Sequence, residues 1–197
     1  MIVGLGNPGA EYAGTRHNLG ETCVRALASR LGVEISRRRW RSAVGFVDGA
    51  FGYAGRVWLV LPQTFMNRSG DAVAAALRDV GVPPSSAWVV HDELDLPLCR
   101  LRIRLGGSDA GNNGVKSITG ALGTDRFWRF RIGVGKPPSP RQGVNYVLDR
   151  WSRAEAARVP LVVGGVTDAL EEALRSGVVR AMDLYNRAGS LGCEELA

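Results

Sequence analysis

Histidine is scarce in this 197-residue chain, which has only His17 and His91, and there are three cysteines. Cys23, Cys99 and Cys193 are odd in number and far apart. A zinc site draws its ligands from close pairs, and a disulfide framework uses an even, dense set, so the spacing predicts neither. Cys23 and Cys99 sit in apolar runs and read as small buried hydrophobes, while Cys193 belongs to a tail. No apolar run reaches the roughly 20 residues that a membrane-spanning helix needs. Met1 leads straight into Ile2-Val3-Gly4, with no charged and cleavable leader, so a cytoplasmic protein is expected. A G-x-S-x-G elbow is also absent, as is any reactive-cysteine setting. Those absences leave water as the expected nucleophile if the chain is a hydrolase.

Basic residues are in surplus. Lys and Arg number 25 against 19 Asp and Glu, for a net charge of +6, which suits a polyanionic partner. The charge clusters at Arg37-Arg38-Arg39 with Arg41, at Arg100/Arg102/Arg104 and at Arg126/Arg129/Arg131. In the last two sets the basic residues alternate with apolar ones, which places them on one face of a strand. A solvated face has the same pattern, so charge alone leaves the partner open.

Periodicity organises the rest. A short buried strand at 1–5 precedes a polar loop at 6–17, and helical spacing over 19–31 ends at Gly32. Glycine-broken alternation over 34–61 predicts hairpins that end in the apolar strand Val57–Leu61. A helix over about 70–80 is followed by the strand Trp88-Val89-Val90, which runs into the polar segment His91-Asp92-Glu93. A strand at 101–105 leads to a glycine-rich loop at 106–114. A helix at 115–122, a strand at 130–134 and a rigid proline loop at 137–140 come next. Helices over 153–176, interrupted at Pro160 and Gly164-Gly165, and over 178–187 close the chain. The expected fold is α/β, a single-domain sandwich over 1–188 with a twisted mixed sheet flanked by helices. Residues 189–197 read as a disordered tail.

Gly4-Leu5-Gly6-Asn7-Pro8-Gly9 matches the dinucleotide fingerprint G-x-G-x-x-G. In that motif the phosphate sits on a helix that opens within it. Here Pro8 removes a donor and the loop runs on through Thr15, so a nucleotide cofactor is not expected. The polar loops after the strands hold a different set. Histidine titrates near neutrality and is the natural general base. His17 lies in one loop, and the three acids of His91-Asp92-Glu93-Leu94-Asp95 offer a carboxylate to orient it. Asn7, Asn67 and Asn113 each lie in a separate loop after a strand, and a carboxamide both donates and accepts without charge. Taken singly, each of these residues reads equally well as a turn or cap.

In order along the chain, these segments resemble bacterial-type peptidyl-tRNA hydrolase, from Ile2 to about Asn186. The resemblance is carried by Val3-Gly4-Leu5-Gly6-Asn7-Pro8-Gly9, by Tyr12 with Thr15-Arg16-His17-Asn18, and by Pro62-Gln63-Thr64-Phe65-Met66-Asn67-Arg68-Ser69-Gly70. It continues in His91-Asp92-Glu93-Leu94-Asp95-Leu96-Pro97 and in Asn113-Gly114-Val115-Lys116-Ser117-Ile118 with Arg131-Ile132-Gly133-Val134-Gly135. It implies a monomer that needs neither cofactor nor metal. Such an enzyme cleaves the ester between a peptide and the 3′ adenosine of tRNA, recycling tRNA from stalled translation. By the same resemblance, His17 activates water, Asp92 supports it, and Asn67 holds either that water or the forming oxyanion. Asn7 and Asn113 bind substrate, Tyr12 and Met66 line the pocket, and Arg104 and Arg131 clamp a tRNA phosphate. Asn112 stands where the family usually carries a histidine, at a position implied to act on the substrate side. Ser108-Asp109 replaces a smaller pair nearby.

Overall fold

The structure, a computed structural model, describes residues 1–137 and 139–193. Its strands in chain order are β1 (Ile2–Gly4), β2 (Arg37–Arg39), β3 (Ser42–Ala50), β4 (Tyr53–Pro62), β5 (Trp88–Glu93), β6 (Leu101–Leu105) and β7 (Trp128–Gly133). They form one mixed sheet in the order β2-β3-β4-β1-β5-β7-β6. β1 runs parallel to β4 and β5, and β5 runs parallel to β7. The β2-β3-β4 meander and the β6 edge are antiparallel. The central strands are apolar almost throughout because helices cover both faces. Phe51 and Gly52, both at positive φ, form the tight turn that returns β3 into β4.

α1 (Leu19–Arg30) and the long C-terminal helices cover one face, where Leu27, Val24, Phe130 and Leu170 share a core. α2 (Ser69–Val80) and α3 (Asn113–Leu122) cover the other, around Val3, Val89, Val115 and Phe127. α1 lies hard against the sheet because Gly20 has no side chain; a Cβ there would overlap the carbonyl of Val90. That close approach brings the residues just before α1 alongside the end of β5. Among the described residues, no helix is long and apolar enough to cross a membrane.

Several expectations are corrected. His91-Asp92-Glu93 does not follow β5 but forms its last turn of pleat, fully buried. A buried polar group is tolerated where it is bonded, and each of the three has a partner, described below. Residues Gly143–Leu148 form a short helix, α4, in a stretch to which the sequence pattern assigns no element; α5 (Arg153–Ala156) follows, capped reciprocally by Ser152 and Glu155. α6 (Val159–Ser176) runs unbroken through Gly164-Gly165. Pro160 sits in its first turn, where no donor is lost, and Gly165 gives room to Leu191. α7 (Val178–Tyr185) completes the set.

The cysteines and the tail also differ from expectation. Cys99 and Cys193 are joined in a disulfide, and Cys23 is the free, buried thiol. Leu191 and Cys193 are buried in the core beneath α6, so residues 189–193 are folded rather than a loose tail. The cause is the return of the chain after α7 onto the start of β6, a proximity that separation in sequence does not encode. Residues 194–197 of the expected tail, and Pro138 of the expected proline loop, lie outside the described residues.

Candidate active site

A cleft of about 580 Å³ opens over the carboxyl ends of β1 and β5. Its walls come from loops after β1, β4 and β5, from the start of α3, and from α4. Sites in parallel sheets gather at such strand ends because the loops there converge. The α4 wall is held in place by Arg16. Its buried guanidinium donates to the carbonyls of Tyr146, Asp149 and Arg150, pairs with Glu155 at 2.7 Å, and stacks on the Tyr146 ring.

His17 forms part of the cleft wall at 8% exposure. Its Nδ1 lies 2.9 and 3.0 Å from the two carboxylate oxygens of Asp92. The carboxylate accepts, so Nδ1 carries the proton and Nε2 is left with a lone pair. Among the described residues Nε2 has no protein partner. Asp92 is gripped from a second side, where Asn112 Nδ2 donates to Asp92 Oδ1 at 2.9 Å. The oxygen of the same carboxamide caps α3, accepting from the N–H groups of Gly114 and Val115. The Asn112 side chain is therefore committed to the protein in both directions. It orders the acid behind the base while also lining the cleft.

The other asparagines are placed differently from one another. Asn7 is buried and bound into the loop, where its backbone exchanges hydrogen bonds with the Asn18 carboxamide and its Oδ1 accepts from Met66 N–H. Its amide nitrogen has no acceptor among the described residues, on a residue that lines the cleft. Asn67 and Asn113 are exposed on the cleft wall with no side-chain partner among the described residues. The asparagines thus arrive at one cavity from three segments, Asn113 at the start of α3. Met66 lines it as expected. Tyr12 does not; it packs edge-on against Phe65, and it is Phe65, 56% exposed, that faces the cavity. Leu94, Val144, Val147 and Leu148 add an apolar side that the sequence reading missed, because α4 itself was missed. The G-x-G-x-x-G segment opens no helix of its kind: α1 starts only at Leu19.

The remaining polar residues of β5 are accounted for. Glu93 pairs with Arg131 Nε at 2.9 Å. Arg131 is mostly covered, and Arg104 is exposed on the neighbouring edge strand. His91 is buried, with Nδ1 donating to the Asp92 carbonyl at 2.7 Å and Nε2 without a partner. Burial, the largest effect, lowers its pKa below the ordinary value of 6.5. The folded protein therefore binds this proton less readily than the unfolded chain. Stability is full above about pH 6.5 and declines as pH falls below it. Melting temperature should drop over that range, and His91→Gln should flatten the drop; an identical slope in the variant would refute this assignment.

Comparison with known proteins shows the family. The family model for peptidyl-tRNA hydrolase matches residues 1–191. Peptidyl-tRNA hydrolase of Chloroflexus aggregans is 44% identical over 189 residues, covering 94% of this chain and 98% of that protein. The Pseudarthrobacter chlorophenolicus protein of the same name is 38% identical over 193 residues, covering 98% and 97%. The crystal structure of peptidyl-tRNA hydrolase from Acinetobacter baumannii superposes with a TM-score of 0.84 at 34% identity, over 94% of this chain and 93% of that one. With the family model, the relatives and the overall fold in agreement, this chain belongs to the peptidyl-tRNA hydrolase family.

Proposed function

We propose that the protein hydrolyses peptidyl-tRNA, with His17 as general base for a water nucleophile. The observation that carries this reading is the His17–Asp92 contact of 2.9 Å on the wall of a cleft shared with Asn7, Asn67 and Asn113. Nε2 accepts a proton from water as the water oxygen attacks the ester carbonyl carbon. The imidazolium so formed is stabilised by the Asp92 carboxylate at Nδ1. The oxyanion that develops needs neutral donors, and the unpartnered amide of Asn67 offers them; the same group can hold the attacking water. As the tetrahedral intermediate collapses, the carbon–oxygen bond to the ribose breaks and His17 returns the proton to the departing oxygen. The products are a free peptide carboxylate and a tRNA with a free 3′ end.

Substrate binding divides across the cleft in this reading. The apolar side formed by Phe65, Met66, Val144 and Leu148 takes the peptide, and Asn7 and Asn113 bind near the scissile ester. Arg104 and Arg131, at the β6–β7 edge, hold a backbone phosphate, for which arginine's planar fork is suited. The direct test is incubation with a purified peptidyl-tRNA and measurement of released peptide. Release that scales with enzyme is expected; tRNA binding with no release would leave a binding protein instead.

A further inference from the structure

Arg129 is the anomaly of the structure. It is the largest of the fully buried side chains, at 1% exposure, and among the described residues no carboxylate forms an ion pair with it. One nitrogen donates to the Ser108 carbonyl at 2.6 Å, and the guanidinium lies over the Phe127 ring. Its Nε and its second terminal nitrogen are buried with no partner at all. A buried charge is normally paired, because removing it from water is expensive.

Its neighbours make the cost higher. Arg129 pairs in register with Arg104 on β6, as Arg131 does with Arg102, so these arginines share one sheet face. Arg104 and Arg129 also converge on the same loop. The guanidinium of Arg104 packs where a Cβ of Gly107 would stand, 2.5–2.9 Å from that point, and Arg129 holds Ser108 beside it. Gly107, at a φ of 103°, leaves that space free. Burial, the largest effect, holds the Arg129 guanidinium below the ordinary arginine range; Asp125 opposes it most strongly, and the like charges of Arg104 and Arg131 add to it. The Asp125 carboxylate is engaged elsewhere, accepting from Gly107 N–H at 2.8 Å.

From orphaned donors and clustered like charge we infer that Arg104, Arg129 and Arg131 form one site for an RNA phosphate, with Arg129 as its buried floor. This rests on the reading of Arg104 and Arg131 as phosphate ligands and adds a third cation to it. Arg129 need not touch the phosphate. Its charge acts through protein rather than water, where attraction is stronger. In the free protein the arrangement is paid for in stability; an anion at Arg104 and Arg131 relieves it.

Arg129→Gln tests the idea, since it removes the charge but keeps a donor for the Ser108 carbonyl. Affinity for deacylated tRNA, measured by fluorescence anisotropy at one fixed salt concentration, should fall about tenfold, the scale of losing one charge-assisted interaction. The melting temperature should stay level or rise. Unchanged affinity with a lower melting temperature, or a variant that does not fold, would make Arg129 a structural post and overturn the inference. Arg129→Lys keeps the charge without the fork and should retain most of the affinity; a loss equal to that of the glutamine variant also overturns it. Arg104→Ala is the control. If it too leaves affinity unchanged, the phosphate reading of Arg104 and Arg131 has failed; if it weakens binding while Arg129→Gln does not, only the third cation has.

Discussion

Turnover of peptidyl-tRNA by His17→Ala is expected to be roughly 10²–10⁴-fold below that of the unaltered protein, the usual contribution of a positioned general base. The structure offers no substitute. The only other histidine, His91, is buried in β5, with one ring nitrogen bonded to a backbone carbonyl and the other shut away from the cleft's solvent. The loss should fall on kcat with little change in KM, because His17 acts on the water and not on the RNA. Affinity for deacylated tRNA should stay within about twofold, given that interactions with RNA phosphates dominate such binding. The side chain is nearly buried but faces a cavity, so truncation should not unfold the protein. Single-turnover measurement separates chemistry from product release. A variant that cleaves at more than a tenth of the normal rate would remove His17 from the role of base.

The strength of that prediction reflects which features could be read before the structure. Local patterns transferred well. Helical spacing at 19–31 and 70–80 became α1 and α2, and the glycine-broken alternation of 34–61 became the β2-β3-β4 meander. His17, Asn67 and Asn113 could be picked out as candidates because each follows a recognisable element and carries a motif, and the structure brings all three to one cleft. What failed was non-local. Nothing near Cys99 in sequence says that Cys193 returns to it, and nothing near Glu93 names Arg131 as its partner. Buried acids looked like a turn because three polar residues in a strand are costly until their partners are known. Tyr12 was assigned to the pocket wall, but the wall is Phe65 and Tyr12 braces it. Asn112 shows the limit most clearly. The family resemblance implied a role on the substrate side, and nothing near it in sequence tells that its two ends bond the cap of α3 and Asp92.

That arrangement around Asp92 determines the second large effect. Asp92→Asn is nearly isosteric and should fold, yet turnover should fall by roughly 10²–10⁴-fold, on the pattern of a triad whose orienting acid is amidated. Asp92 Oδ1 accepts from both His17 Nδ1 and Asn112 Nδ2, and Oδ2 lies 3.0 Å from the same His17 Nδ1. A carboxamide has one oxygen to offer. Asn112 is fixed as a donor there because its own oxygen is held by the Gly114 and Val115 N–H groups. The new side chain therefore keeps its oxygen at the Oδ1 place, which Asn112 holds, and sets its NH2 at the Oδ2 place, 3.0 Å from His17 Nδ1, where it donates to the ring. Nδ1 then becomes the acceptor and the ring proton moves to Nε2, the nitrogen that has to receive a proton from water. The base is present but in the wrong tautomer. Because both changes disable one unit, the double variant His17→Ala/Asp92→Asn should be little worse than His17→Ala alone. Independent, multiplying losses would show that Asp92 acts apart from His17. If Asp92→Asn keeps its turnover within about threefold of normal, tautomer control by this carboxylate is not how the site works.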